Sequence, residues 1–259
     1  MQGLYMGNQS VLSLFATGRT TGTVLDAGEG VTHAVPIYEG YAIPHFITKV
    51  PICGRDLTNY MMHLLNKKFP DAVPLTDDEK RAEAYEVAVK VKHMHGEVAL
   101  DFDAELKTSG DNNTTQKRYK LPNSQTITVN RQALECPEIL FQPSYWRENM
   151  EDNQDGIHTY TYQAITKNEK DIQRDLFKSI ILAGGCTMFK GMQARMQKEI
   201  QALAPSSANP DVEAPADRKH SAWLGGAILS NMSRFEPMWI KKSEYDEEGN
   251  ARIVHRKCF

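Results

Sequence analysis

The sequence predicts an α/β protein. Two strand-like stretches end in glycine turns, Leu25-Asp26-Ala27-Gly28-Glu29-Gly30 and Ile181-Leu182-Ala183-Gly184-Gly185, and strand and helix patterns alternate along the chain. The first turn follows the apolar strand Thr23-Val24-Leu25 and leads into a second strand. Its glycines let the backbone turn tightly and aim N–H groups at an anion. Asp26 stands at the strand's end, where a carboxylate can hold a hydrated divalent cation. These residues suit a metal–nucleotide phosphate, although Asp-x-Gly-x-Gly alone also makes ordinary hairpins. The second turn runs on through Cys186-Thr187-Met188-Phe189 into a helical pattern.

Taken in order, Leu4, Val11, Leu12 and Phe15 recur at helix spacing and predict a helix over residues 4–16, which Gly18 stops. Residues 22–50 read as strands with turns at Gly28-Glu29-Gly30 and Glu39-Gly40. Gly54-Arg55-Asp56 opens a helix over 56–65. Thr76-Asp77-Asp78-Glu79 is a capping-box pattern for a helix running through Val87, Val89 and Val91. Residues 110–115 form a polar loop, 119–129 alternate as a hairpin around Pro122-Asn123-Ser124, and 148–155 are a charged loop. A helix over 171–177 precedes the strand 179–182. There follow a helix over 192–204, a Pro/Ser/Asn connector over 205–215 and an apolar helix over 223–232.

The 259 residues can bury a sizeable core, and 41% hydrophobic with 24% charged residues is the composition of an ordinary globular protein. A net charge of −3 gives no electrostatic basis for nucleic acid or an anionic membrane as the main partner. Cys53, Cys136, Cys186 and Cys258 are scattered, as reduced thiols are, and form neither a disulfide framework nor a zinc site. His93 and His95 lie two apart on a helical pattern, so they face different ways and do not make a metal site. The apolar run 11–16 is too short for a membrane span and lacks a basic flank, so no signal peptide is expected and the location is read as cytoplasmic.

Further runs accompany the two turns in a fixed order. They are Tyr38-Glu39-Gly40-Tyr41-Ala42-Ile43-Pro44-His45, Gly54-Arg55-Asp56-Leu57-Thr58, Phe141-Gln142-Pro143-Ser144, Met238-Trp239-Ile240 and Arg256-Lys257-Cys258-Phe259. The series, from about Asn8 to Phe259, resembles the actin family. The resemblance implies the ribonuclease-H-like fold that actins share with Hsp70 chaperones and sugar kinases, here its second half plus remnants of the first. Residues 17–52 and 142–220 would form the second inner subdomain, 53–141 an inserted outer subdomain, and 1–16 with 221–259 the remnants of the first inner subdomain. Actins also carry an N-terminal segment with a first phosphate loop. Met1 aligns beyond it, so weak ATP binding, little hydrolysis and no ordinary filaments are expected of this chain alone.

The resemblance also assigns roles. Asp26, Gly28, Glu29 and Gly30 match the second phosphate loop, with Asp26 holding Mg2+ or Ca2+ through water. Gln9 and His33 match the residues that position the attacking water. Gly184, Gly185, Met188 and Phe189 match the turn that contacts the adenosine of ATP or ADP, though they also suit a strand-to-helix turn with core Met and Phe. Lys92 matches a lysine over the nucleotide, and Lys219 one near the base, where a solvated surface lysine is the alternative. Phe15, Ala16, Gly18, Thr20, Tyr41, Leu229, Met232 and Met238 match the groove for actin-binding proteins and for the next subunit, self or actin, of a filament. Plain core packing is the alternative for each of them.

Four departures stand out. Most actins have Asp at the Glu29 position and Glu at the His93 position, Arg234 adds a charge to the groove rim, and the segment 145–154 is longer and more charged. The implied function is that of an actin-like cytoskeletal protein, ATP-binding and filament-forming when complete, with slow ATP hydrolysis on assembly. The alternative is a non-catalytic actin-related structural subunit of a larger assembly. A sugar kinase fits less well. Leu12, Phe15, Trp223, Leu224, Ile228, Leu229, Phe235, Met238 and Trp239 are expected to lose apolar cover, leaving both termini labile or held by a partner.

Overall fold

The computed structural model describes residues 3–108, 117–146 and 155–258. Helix α1 (Gln9–Phe15) is followed by strands β1 (Gly22–Ala27), β2 (Thr32–Tyr38), β3 (Tyr41–Ala42) and β4 (Thr48–Val50). Next come helices α2 (Gly54–Lys68), α3 (Asp78–His95) and α4 (Phe102–Thr108), the strands β5 (Arg118–Lys120) and β6 (Thr126–Thr128), and α5 (Arg131–Glu138). The chain continues with α6 (Ile157–Thr166), α7 (Lys170–Phe177), β7 (Ile180–Ala183), α8 (Met192–Leu203) and β8 (Val212–Glu213). Helices α9 (Ser221–Ser230), α10 (Lys242–Glu248) and α11 (Asn250–Cys258) close it.

The main sheet has the order β3-β2-β1-β7-β8, with β4 also paired to β2. β1 runs antiparallel to β2 and parallel to β7, which runs parallel to β8. Every residue of β1 and β7 is buried, as expected of central strands covered on both faces. Side chains alternate, so each face has its own core. On one face Val24, Val35, Ile37, Ile181 and Ala183 pack with Leu14 of α1. On the other, Leu25, Ala27, Ala34, Ile180 and Leu182 join a larger core. That core takes Ile165 from α6, Phe177 from α7 and Met196 from α8, and continues to Met61 of α2 and Val91 of α3. Buried inside it, the Arg195 guanidinium grips Glu138 with two hydrogen bonds of 2.9 and 3.1 Å and lies over the Phe141 ring.

Several boundaries differ from the sequence reading. The first helix begins after Asn8, whose side chain accepts hydrogen bonds from the N–H groups of Ser10 and Val11, and not at residue 4. Leu4 instead pairs with Ile240 as an isolated antiparallel bridge. Asp77, one residue after the expected Thr76, caps α3 through a 2.9 Å bond from the Lys80 N–H. The connector 205–215 contains β8, held by a 2.9 Å bond from the Ile180 N–H to the Asp211 carbonyl. Helices α4, α5, α6, α10 and α11 had no counterpart in the sequence reading. The polar loop 110–115 lies outside the described residues, as does most of the charged segment 145–154. Its start is described: Tyr145 meets Phe102 edge-on and Trp146 packs on Tyr60.

Cover at the termini is uneven. Leu14 and Ser13 of α1 are buried. Helix α9 crosses α1 so closely that a methyl at Gly225 would collide with the Leu12 carbonyl oxygen. Phe235, expected to lose its cover, is 6% exposed, wedged edge-on between the rings of Tyr5 and Trp239. Ile240, Ile253 and Cys258 form a small core with Tyr5 beside it. The outer face of α9 and the turn after it stay open: Trp223 is 73% exposed, and Ile228 and Met232 are about half exposed.

Candidate functional site

The two glycine turns leave the carboxyl ends of β1 and β7, adjacent parallel strands. Asp26 is the second-last residue of β1, opposite His33 on β2 and level with Ala183 on β7. Val24 and Asp26 alternate onto the same face as Val35 and His33, which is the face α1 covers. Gln9, the first residue of α1, therefore stands over the end of that face, where its side chain acts on the Asp26 carboxylate. Three candidates from three successive elements thus converge. Burial pushes the Asp26 carboxyl above its ordinary range, against the opposing pull of the Gln9 side chain and the His33 ring.

The turns are packed on each other. Gly184 has φ +87°, which favours glycine, and a Cβ there would strike the Ala27 carbonyl and lie 2.7 Å from Asp26 Oδ1. Cys186 donates its thiol hydrogen to the Gly28 carbonyl at 3.3 Å. Burial pushes that thiol up to about 12, so it is a neutral pin between the turns and not a nucleophile. The Gly28 N–H closes the first turn on the Val31 carbonyl at 2.9 Å. Beside Gly30 and Gly185 a Cβ would meet open space, so both turns have a free side.

The other candidates are placed as follows. Glu29 is exposed at the tip of the first turn, with its carboxylate 3.6 Å from Lys92 Nζ. Lys92 is 2% exposed and lies under the start of α2. His93 is exposed near Lys219; burial, then the charges of Lys92 and Lys219, hold its pKa below the ordinary value. Met188 is 41% exposed, whereas Phe189 is buried against Gly96 at the end of α3. Lys219 is exposed on a segment tied to the second turn by the Gly184 N–H, which donates to the Arg218 carbonyl at 3.0 Å. Of the groove candidates, Gly18, Thr20, Tyr41, Met232 and Met238 are exposed, and Phe15, Ala16 and Leu229 are half-buried.

Two contributors escaped the sequence reading. Arg218 clamps the second turn, donating to the Thr187 carbonyl at 2.9 Å and the Pro215 carbonyl at 2.9 Å. Tyr85 donates to Glu29 Oε1 at 3.3 Å. Neither sits in a motif, and no spacing rule joins either to its turn. Among the described residues no cluster of His, Cys, Asp or Glu forms a ready metal cage, and no helix is long and apolar enough to cross a membrane.

The donor set tests what the site could hold. A buried carboxylate with a neighbouring amide offers hard oxygen ligands, which suit a cation that keeps most of its water. Glycine turns with a free side suit phosphate oxygens. The residues present therefore fit a nucleotide with a divalent cation. The class is that of mixed α/β proteins whose site lies outside the carboxyl ends of adjacent parallel strands.

The family model for actin matches residues 1–259, the whole chain. The chain belongs to the actin family, as the resemblance implied, and its mixed α/β architecture fits the fold of that family. Actins generally bind ATP or ADP with a divalent cation and are typically cytoskeletal.

Proposed function

We propose that this chain is an actin-like cytoskeletal protein that binds ATP or ADP with Mg2+ or Ca2+ where β1 and β7 end. The observation that carries this reading is the convergence of Gln9, Asp26 and His33 beside the paired glycine turns. In this reading Asp26 holds the hydrated cation, and the Gly28–Gly30 backbone faces the phosphates. Gly184, Gly185 and Met188 border the adenosine, with Phe189 supporting them from beneath and Lys219 at the rim. When bound, the nucleotide and its cation supply the phosphoryl group and much of the charge that neutralises it. Gln9 and His33 then need only orient a water, because positioning and charge neutralisation provide most of the effect in phosphoryl transfer. Slow hydrolysis on filament assembly follows the family pattern, with Tyr41, Met232 and Met238 among the residues open to a neighbouring subunit or an actin-binding protein.

A second reading, a non-catalytic structural subunit of a larger assembly, is favoured by the engagement of Glu29 with Lys92 and by His93 near Lys92 and Lys219. Titration with a fluorescent ATP analogue and magnesium tests the first reading. Weak but saturable, cation-dependent binding is expected. Asp26→Asn should weaken it on the order of tenfold, equivalent to about 1.4 kcal/mol. Binding that ignores both magnesium and Asp26→Asn would remove the site from this location.

A further inference from the structure

The Glu29 carboxylate is not free above its turn. One oxygen faces Lys92 Nζ at 3.6 Å, and the other accepts the Tyr85 hydroxyl hydrogen at 3.3 Å. Lys92 is fixed from its other side, donating to the Gly54 carbonyl at 3.0 Å and to Thr58 Oγ1 at 2.7 Å. The Thr58 hydroxyl in turn donates to the same Gly54 carbonyl at 3.0 Å. The turn's backbone is stitched to the same place: the Gly54 N–H donates to the Gly28 carbonyl and the Arg55 N–H to the Glu29 carbonyl, both at 2.9 Å. A Cβ at Gly54 would collide with Glu29 Oε2, so the glycine makes room for this carboxylate. A buried ammonium needs a counter-charge, and Glu29 provides one. The longer side chain is what reaches. An aspartate would end one C–C bond short, about 1.5 Å, and lose the ion pair.

We propose that Lys92 and Tyr85 are positioning residues for the first glycine turn. They hold the Glu29 carboxylate against α2 and α3, which fixes the shape of the turn and leaves Asp26 as the carboxylate facing the cation. The last clause rests on the nucleotide reading above; the tether itself does not.

Hydrogen–deuterium exchange of the 27–31 backbone in the nucleotide-free chain tests the tether. Glu29→Gln, Glu29→Asp and Tyr85→Phe should each speed exchange there, with Glu29→Gln giving on the order of tenfold. Lys92→Met should match Glu29→Gln, and the double variant should be no faster than Lys92→Met alone. Unchanged exchange in Glu29→Gln overturns the tether, and because that side chain is largely exposed its removal leaves the fold in place. Additive effects of the two substitutions overturn it as well. Affinity for a fluorescent ATP analogue with magnesium tests the consequence. Lys92→Met releases a carboxylate toward the phosphates and should lower affinity on the order of tenfold, and adding Glu29→Gln should restore it. A purely structural lysine would show no such rescue, and its absence overturns the positioning role. If the unaltered chain fails to bind the analogue, the nucleotide reading falls and takes the clause about Asp26 with it, while the exchange result still decides the tether.

Discussion

The crossing of α1 and α9 makes a sharp prediction from two neighbouring glycines. A methyl added at Gly225 would lie 2.5 Å from the Leu12 carbonyl carbon and 3.0 Å from its Cα. Carbon atoms pack at roughly 3.5–4.0 Å, and the Leu12 carbonyl oxygen lies nearer still, so the two helix backbones must part by at least about 1 Å to admit it. The obstacle is backbone, which cannot swing aside as a side chain would. Overpacking of this kind costs about 1–3 kcal/mol, from which an alanine's better helix propensity returns at most about 1 kcal/mol. At Gly226 the nearest atom to an added methyl is Leu12 Cδ1 at 3.8 Å, an ordinary contact. There the propensity gain stands alone. For a chain of this size each kcal/mol moves the melting temperature by roughly 2–4 °C. Gly225→Ala should therefore melt lower, by up to about 8 °C, and Gly226→Ala up to about 4 °C higher, by circular dichroism at matched concentration. Because α1 carries Gln9, Gly225→Ala should also weaken nucleotide binding. Two alanines that shift the melting temperature in the same direction would refute the close crossing.

Three further outcomes follow from other parts of the molecule. Burial raises the Asp26 carboxyl above its ordinary 3.8, so the folded chain holds that proton more tightly than the unfolded one, and stability falls as pH climbs from 3.8 into the raised range. Asp26→Asn, which cannot ionise, should accordingly melt higher than the unaltered nucleotide-free chain near about pH 7 and no higher near about pH 3.5, in a pair of thermal scans. Glu138→Ala leaves the buried Arg195 with Glu199 as its remaining carboxylate and should cost about 1–3 kcal/mol in urea unfolding, whereas Glu138→Leu with Arg195→Met should recover most of it. Phe235→Ala should cost about 3–5 kcal/mol if the terminal clasp with Tyr5 and Trp239 belongs to the cooperative fold; a loss below about 1 kcal/mol would show that the clasp opens independently.

What the sequence disclosed depended on whether a signal was local. Both glycine turns, the strands 22–50, the hairpin at 119–129 and the long helices carry their own periodicity or turn residues, and each was legible. The convergence of Gln9, Asp26 and His33 came through family likeness; in physical terms it is set by the β1–β2 register and by the packing of α1 on that face, which no single segment encodes. Leu4 fits the helix period of residues 4–16, but Asn8 caps the helix after it and Ile240 claims it as a strand partner. β8 is two residues between prolines and exists only because β7 offers it an edge. Tyr85 and Arg218 reach their turns through space, and Phe235 gains its cover from the far end of the chain.

The parallel pairing of β1 with β7 also sets a timetable. Gly28 and Cys186, which touch in the finished site, are 158 residues apart. A ribosome adds about 5–20 residues per second, so the first turn waits on the order of 10–30 s before the second has been made. During that interval β1 can pair with β2, which follows at once, but its other edge has no partner. Gly22–Ala27 is then an apolar strand with a row of unsatisfied N–H and C=O groups, the kind of edge that recruits other chains. The nascent protein is thus most vulnerable to aggregation between the synthesis of β2 and that of β7. Slower elongation through that stretch should lower the soluble yield unless a chaperone covers the strand.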